Sequence, residues 1–254
     1  MFGSLVRNRN GLSKLTDFGI SSLKSFKGLP CAVTQVATLM KLEDPPTYDH
    51  VEFPERKRLR FYEKVPQLQQ GVRAPKTPKD LHLMRGPDKL HNKLQYGQYG
   101  IQALTGGRLR WGHYEALRLT IGRRMDESRM FAIWRIDQPW KSVSKKGIGT
   151  RMGGGKGNID HYVYPLRANR ILLEMGGKCE FKEVEKILKP LAKIMPFRAR
   201  VVSHEILAEE AKQEAFMKRN NINPFTFQHC AQHNFLGCRT WMSPYDFQWH
   251  GKYR

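Results

Sequence analysis

Between Lys145 and Asn158 the chain reads Lys-Lys-Gly-Ile-Gly-Thr-Arg-Met-Gly-Gly-Gly-Lys-Gly-Asn, six glycines in fourteen residues. No helix or strand is stable through such a run, because each glycine adds backbone freedom and removes a side chain that could pack. The ordered part must be assembled from segments on either side, with this run as a loop between them. Its chemistry is one-sided: Lys145, Lys146, Arg151 and Lys156 are cations, and no acid lies among them. Cations on backbone stripped of bulk suit a phosphate-rich surface. A loop of this kind reads as a segment ordered by its partner, and a solvated flexible loop is the other reading.

A nucleotide-binding P-loop is excluded. That pattern needs a glycine six residues before the lysine of the Gly-Lys pair, and a hydroxyl after the lysine for magnesium. Counting back from Lys156 gives Thr150, and Gly157 follows the lysine.

The remainder of the chain shares the bias. Lys and Arg total 44 against 23 Asp and Glu, a formal charge of +21 on 254 residues. Self-repulsion of this size is relieved by a polyanion. An aromatic content of 11% and an apolar content of 40% exclude wholesale disorder. No apolar run approaches the ~20 residues that span a bilayer; the longest, Leu29 to Met40, is interrupted by Pro30, Thr34, Gln35 and Thr38. Four scattered cysteines, Cys31, Cys179, Cys230 and Cys238, form no disulfide scaffold and point to a reducing compartment.

Residues 1–40 carry Arg7, Arg9, Lys14, Lys24 and Lys27 against one acid, Asp17, with Ser, Leu and Phe between. That is the composition of a mitochondrial transit peptide, and a basic arm retained on the mature protein is the other reading. Residues 41–95 are rich in proline and charge, with Arg56, Lys57, Arg58 and Arg60 close together and Phe53, Phe61, Tyr62 and Leu68 too sparse for a core. This segment reads as an extended basic arm lying on a partner surface, and a disordered linker whose charge serves solubility is the other reading.

Order begins near Tyr96. Tyr99, Ile101 and Ala103 alternate as in a strand, and Thr105-Gly106-Gly107 turns the chain. Trp111 to Met125 reads as a helix, with Tyr114, Leu117 and Ile121 on one stripe and Arg118, Arg123 and Arg124 off it. Met130 to Ile136 is apolar on both faces, which predicts an internal strand. His161 to Leu166 and Arg170 to Met175 read as a strand pair joined at Ala168-Asn169. A helix opens near Glu180 with Phe181, Val184, Ile187, Leu188 and Leu191 on its stripe, and Pro190 inside it predicts a bend or an irregular last turn. Phe197 to Val202 closes the sheet. Ser203 is the expected N-cap of a projecting helix ending near Arg219. The tail from Asn220 holds Phe225, Phe227, Phe235, Trp241, Tyr245, Phe247 and Trp249 without periodicity. The class is α+β, a compact mixed sheet with two core helices over 96–203, an extended N-terminal arm, and an extra helix and aromatic tail over 204–254.

Catalytic patterns are missing from the residues: no Gly-x-Ser-x-Gly, no dinucleotide glycine fingerprint, no clustered core acids for metals. His229, Cys230, His233 and Cys238 place four zinc-ligand types close together, but neighbours in sequence cannot easily face one ion, and packing of the two cysteines as small apolar groups is expected. No metal or cofactor is expected.

Gly107-Arg108-Leu109, Glu115-Ala116 with Arg118, Arg151-Met152-Gly153, Gly155-Lys156-Gly157-Asn158 and Glu174-Met175 follow one another in order. Over Tyr96 to Ser203 this run resembles the large-subunit ribosomal protein sixteen family of the bacterial type. The basic N-terminus and the tail motifs Ser243-Pro244-Tyr245-Asp246 and Gly251-Lys252-Tyr253 are similar to its mitochondrial branch. The resemblance implies a hammerhead-type fold, no enzymatic activity, and a structural role in the mitochondrial large subunit in the organelle matrix. It implies as partners large-subunit rRNA, the A-site tRNA and neighbouring mitochondrial ribosomal proteins. Carried across, Lys141, Lys145, Lys146, Arg151, Met152, Gly153, Gly155, Lys156, Gly157 and Asn158 belong to the RNA-binding loop. Arg108, Arg110, Arg118, Arg123 and Arg124 are bases facing rRNA beside it. Gly154 stands where bacterial members often have lysine. A free basic RNA-binding protein or RNA chaperone would share the charge and the loop. Trp140, Tyr162 and Tyr164 flank the loop as stacking or core residues.

Overall fold

The computed structural model of the chain describes residues 46–67, 69–72 and 80–253. The expected transit peptide, Cys31, the Leu29–Met40 stretch, Leu68, Pro75 and Pro78 lie outside the described residues.

A short helix, α1 (Asp80–Met84), precedes the two antiparallel sheets that form the α+β body. The larger contains β1 (Tyr99–Ala103), β3 (Met130–Trp134), β6 (Ile171–Gly177) and β7 (Ala199–Ser203) in the order β3-β6-β1-β7. The smaller contains β2 (Gly107–Arg110), β4 (Lys141–Ser144) and β5 (Ile159–Leu166) in the order β2-β5-β4. Every residue of the central strand β6 is buried. The Ile101-Leu173-Trp134 and Tyr99-Met175-Ala132 rows face α2 (Trp111–Arg124) and α3 (Phe181–Ile194). The Tyr114-Leu117-Ile121 stripe of α2 and the Val184-Ile187-Leu188-Leu191 stripe of α3 complete that core. Truncating a fully buried leucine such as Leu117 or Leu188 costs about 2–5 kcal/mol. Pro190 sits on the exposed side of α3, which runs on to Ile194.

The opposite face of the larger sheet is closed by its own chain. Glu174, 1% exposed, accepts hydrogen bonds from the backbone N–H groups of Gln95 and Tyr96 at 2.8–2.9 Å and pairs with Arg135 at 2.9 Å. Gln98 pairs its side-chain amide with both backbone groups of Gly177 as a neighbouring strand would. Gly177 has φ +122, and a Cβ there would lie 2.1 Å from the Arg129 carbonyl, so only glycine fits.

Three sequence expectations are corrected. Strand β3 is an edge, not an internal strand. Its two apolar faces are explained by cover on both sides and along its rim: Phe131 packs against Phe53 and Tyr96, Ala132 N–H donates to the Lys57 carbonyl, and Trp134 Nε1 donates to the Arg60 carbonyl. The surface on which the arm lies is therefore the chain's own. Leu59 is buried there and Trp111 Nε1 donates to the Tyr62 carbonyl. Covering a rim in this way protects backbone groups that would otherwise recruit another strand. Strands β5 and β6 do not pair with each other but belong to different sheets; Asn169, at φ +65, carries the chain from one to the other. Strands β2 and β4 went unread because each is four residues long with one apolar side chain, Leu109 and Val143.

Beyond β7, Ser203 Oγ accepts from Ile206 N–H and caps α4 (His204–Arg219), which buries no residue. The tail forms α5 (Phe227–Gln232), a 3-10 turn (Phe235–Thr240) and α6 (Pro244–Trp249). Thr226 and Ser243 cap α5 and α6 through their hydroxyls. Cys238 is buried, with its thiol 3.4 Å from the Cys230 carbonyl. Among the described residues no helix is long and apolar enough to cross a membrane.

Candidate nucleic-acid interface

The glycine-rich run is the tip of the β4–β5 hairpin. At its neck Lys145 N–H donates to the Asn158 carbonyl at 3.1 Å. Gly157 is what lets the two sides meet, since a Cβ there would stand 2.6 Å from the Lys145 carbonyl oxygen. A register shift between Val143 and Ser144 precedes the neck. Further out, Gly149, Gly153, Gly154 and Gly155 hold φ between +65 and +98, a region costly for any side-chain-bearing residue. Thr150 N–H turns back onto the Gly147 carbonyl, and Lys146 Nζ donates to the Gly153 carbonyl at 2.5 Å.

This tip has no packing of its own. Ile148 and Met152 have relative exposures of 102% and 101%. Among the described residues, no acid forms an ion pair with Lys145, Arg151 or Lys156, and only Lys145, at the neck, feels a nearby carboxylate, that of Asp160. Unneutralised charge and uncovered apolar side chains share one excursion of more than a dozen residues, a length that connecting loops rarely reach without function.

Behind the tip, the small sheet turns a basic face outward. Arg110 and Lys141 lie opposite Val163 from the two neighbouring strands, Arg108 lies opposite Pro165, and Val143 lies opposite His161. Directly opposed residues share a face, so Arg108, Arg110, Lys141 and His161 are brought together beside the hairpin. Burial lowers the pKa of the Lys141 amine. His161 Nδ1 lies 2.7 Å from the Asp160 carboxylate, whose pKa that contact lowers. The signal for His161 was available in the alternation of His161, Val163 and Pro165. Arg110 N–H donates to His113 Nδ1, and burial lowers the pKa of that imidazole, matching an unprotonated acceptor.

The other face of this sheet is core. Leu109 and Tyr164 lie opposite one another, buried. Tyr162 shares that face two residues on, half-buried toward the hairpin. Trp140 packs against the same core. Stacking by Tyr164 is thus ruled out by its burial.

The helix cations do not all join the cluster. Arg118 is committed to a forked pair with Glu115 at 2.8–3.0 Å and lies over the Phe61 ring. Arg123 and Arg124 are exposed in the last turn of α2, about 20 Å of helix axis from Arg110.

Residues 71–202 match the profile of the family described as ribosomal protein L16p/L10e, which is about half of the chain. The chain belongs to this family. Similar proteins include the large ribosomal subunit protein uL16 of Levilactobacillus brevis, 34% identical over 131 residues, 52% of this chain and 89% of that protein. The protein of the same name from Sulfurihydrogenibium is 36% identical over 118 residues, 46% of this chain and 83% of that protein. That from Oenococcus oeni is 35% identical over 130 residues, 51% of this chain and 87% of that protein. The family match covers both sheets, α2, α3 and the whole hairpin, and stops before α4 and the aromatic tail.

Proposed function

We propose that the chain is a structural constituent of the large subunit of the mitochondrial ribosome. Its hairpin tip and the adjoining basic face of the small sheet bind large-subunit rRNA beside the A-site tRNA path. Membership of the L16p/L10e family supports the ribosomal role. The observation that carries the RNA contact is the β4–β5 tip: exposed cations unpaired with acid, on a backbone that closes only through glycine. Such a tip positions rather than catalyses. Phosphate contacts fix register and orientation without reading sequence, and folded RNA is recognised through its backbone, 2′-hydroxyls and unstacked bases. Arg108, Arg110, Lys141, Lys145, Lys146, Arg151 and Lys156 supply the phosphate contacts, and Met152, Gly153, Gly155, Gly157 and Asn158 shape the approach. The organelle assignment rests on the basic, acid-poor residues 1–40, and neighbouring mitochondrial ribosomal proteins are the further partners.

A tagged copy expressed in cells tests this. The expected result is one copy per large subunit in organelle lysate, retained through a moderate salt wash, with import lost when residues 1–40 are deleted. Recovery at the top of the gradient, or release at modest salt as for a free RNA chaperone, overturns it.

A further inference from the structure

The tail's surface has a feature the ribosomal reading does not use. Helix α6 and the residues after it form a cleft of about 380 Å³ with Arg85 and Gly86, within the range of small-ligand sites. Trp249 forms one wall. It lies on Gly86, where a Cβ would meet its indole nitrogen at 3.0 Å and where φ is +83. Tyr253 forms the next wall, its ring 6.1 Å from that of Trp249 at 83°. The two rings make a corner, with a flat aromatic face on one side and a ring edge on the other.

The corner is built rather than incidental. Gly251 at φ +73 leads into Tyr253, which holds φ +61, a conformation that costs a tyrosine free energy and persists only where surroundings impose it. Tyr245 locks the base of the cleft, its hydroxyl 2.8 Å from His82 Nδ1 and its ring 4.6 Å from the Arg85 guanidinium.

The charge at the rim is positive. Arg85 and Lys252 are exposed, and among the described residues neither pairs with an acid. The wall also holds one carboxylate, Asp246, which accepts from the Ser243 hydroxyl at 2.9 Å and is engaged further; the two cations outnumber it. An apolar peptide would leave both cations without a partner, and a free phosphate would leave the rings unused. Rings at a corner with cations at the rim match one ligand chemistry, an aromatic base joined to phosphate.

We propose that this cleft holds a single unpaired nucleotide of an RNA strand, its base stacked in the Trp249–Tyr253 corner and its phosphates at Arg85 and Lys252. The site rests on the ribosomal reading for the source of the strand. It is distinct from the hairpin, and three of its four key residues lie beyond the family match, which ends at residue 202. It gives the tail an RNA contact of its own.

The test follows the indole N–H resonance of Trp249 in the full chain, assigned with Trp249→Phe. Short single-stranded oligoadenylate is expected to shift it, and a blunt RNA duplex of equal charge is not. Tyr253→Ala is expected to weaken the response about tenfold, one lost base stack. Lys252→Ala, a change at an exposed side chain, is expected to weaken it in a salt-dependent way. The triple loop variant Lys145→Ala, Arg151→Ala, Lys156→Ala is expected to keep it. Unchanged Trp111 and Trp134 resonances show that the variants are folded. Absence of a shift, an equal shift with inorganic phosphate or an apolar peptide, binding of free AMP as tight as the oligomer, or loss in the loop variant each overturns the proposal. Failure of the ribosomal reading would look different, with the wild-type chain missing from large subunits.

Discussion

Replacing Lys145, Arg151 and Lys156 together by alanine separates the RNA contact from the fold. All three are exposed and, among the described residues, unpaired with acid, so their removal leaves no buried partner behind and no cavity. Exposed substitutions of this sort change stability by about 0.5 kcal/mol or less. Binding behaves differently. Each cation that neutralises a phosphate releases counterions, and affinity falls with salt by a log–log slope of about 0.7–0.9 per contact. Losing three contacts flattens the slope by about 2–3. If the lines converge near molar salt, the variant binds about 100- to 1,000-fold more weakly at a tenth of that concentration. Fluorescence anisotropy against a large-subunit rRNA transcript over a salt series measures the slope, and thermal melting measures the fold. A slope unchanged by the triple substitution would refute the assignment of these residues to phosphate contact. A melting temperature lowered by many degrees would refute the claim that the tip carries no packing.

Two further outcomes follow from the buried charges. Glu174→Ala strands Arg135 and frees the backbone N–H groups of Gln95 and Tyr96, so urea melts should show a loss of about 3 kcal/mol, and an unshifted midpoint would contradict the role given to this carboxylate. Burial opposes ionisation of Asp88, but the backbone N–H groups of Leu90 and His91 and the Arg170 guanidinium outweigh it and hold its pKa below the ordinary value. Its contribution is therefore fully present above the unfolded carboxyl pKa of about 3.9 and is lost as pH falls through the lower folded value. Asp88→Asn should lose less stability than the parent chain between neutral pH and pH values below about 3, and equal acid loss would count against that network.

The helices were legible because their stripes are regular. Tyr114, Leu117 and Ile121, and Val184, Leu188 and Leu191, fall at helical spacing and are buried as that spacing requires. Ser203 was legible as a cap because its hydroxyl acts on a neighbour three residues away. What failed depends on contacts distant in sequence. Met130 to Trp134 carries the pattern of an interior strand, and nothing local says that residues near Lys57 and Arg60 supply the missing cover. The separation of β5 from β6 is set by pairings with Leu109 on one side and Ile101 on the other, neither adjacent in the chain. At the candidate interface, the tip was plain from composition alone, whereas the grouping of Arg108, Arg110, Lys141 and His161 needs strand register. Arg123 and Arg124 stand apart from that group because a helix converts closeness in sequence into distance along an axis. The tail's short helices carry too few turns to show a period, so its aromatic residues read as formless until Trp249 is seen seated on Gly86.

Oxidation of Met152 in the free chain and in the purified large subunit tests the central claim most directly. The side chain is 101% exposed, whereas Met130 and Met175 are at 1% and 0% and serve as internal controls. Mass spectrometry after mild peroxide treatment should show rapid conversion of Met152 in the free chain and strong protection in the particle, with the two controls slow in both. Equal oxidation of Met152 in both states would mean that the tip faces solvent in the particle, and the contact between this loop and ribosomal RNA would be refuted.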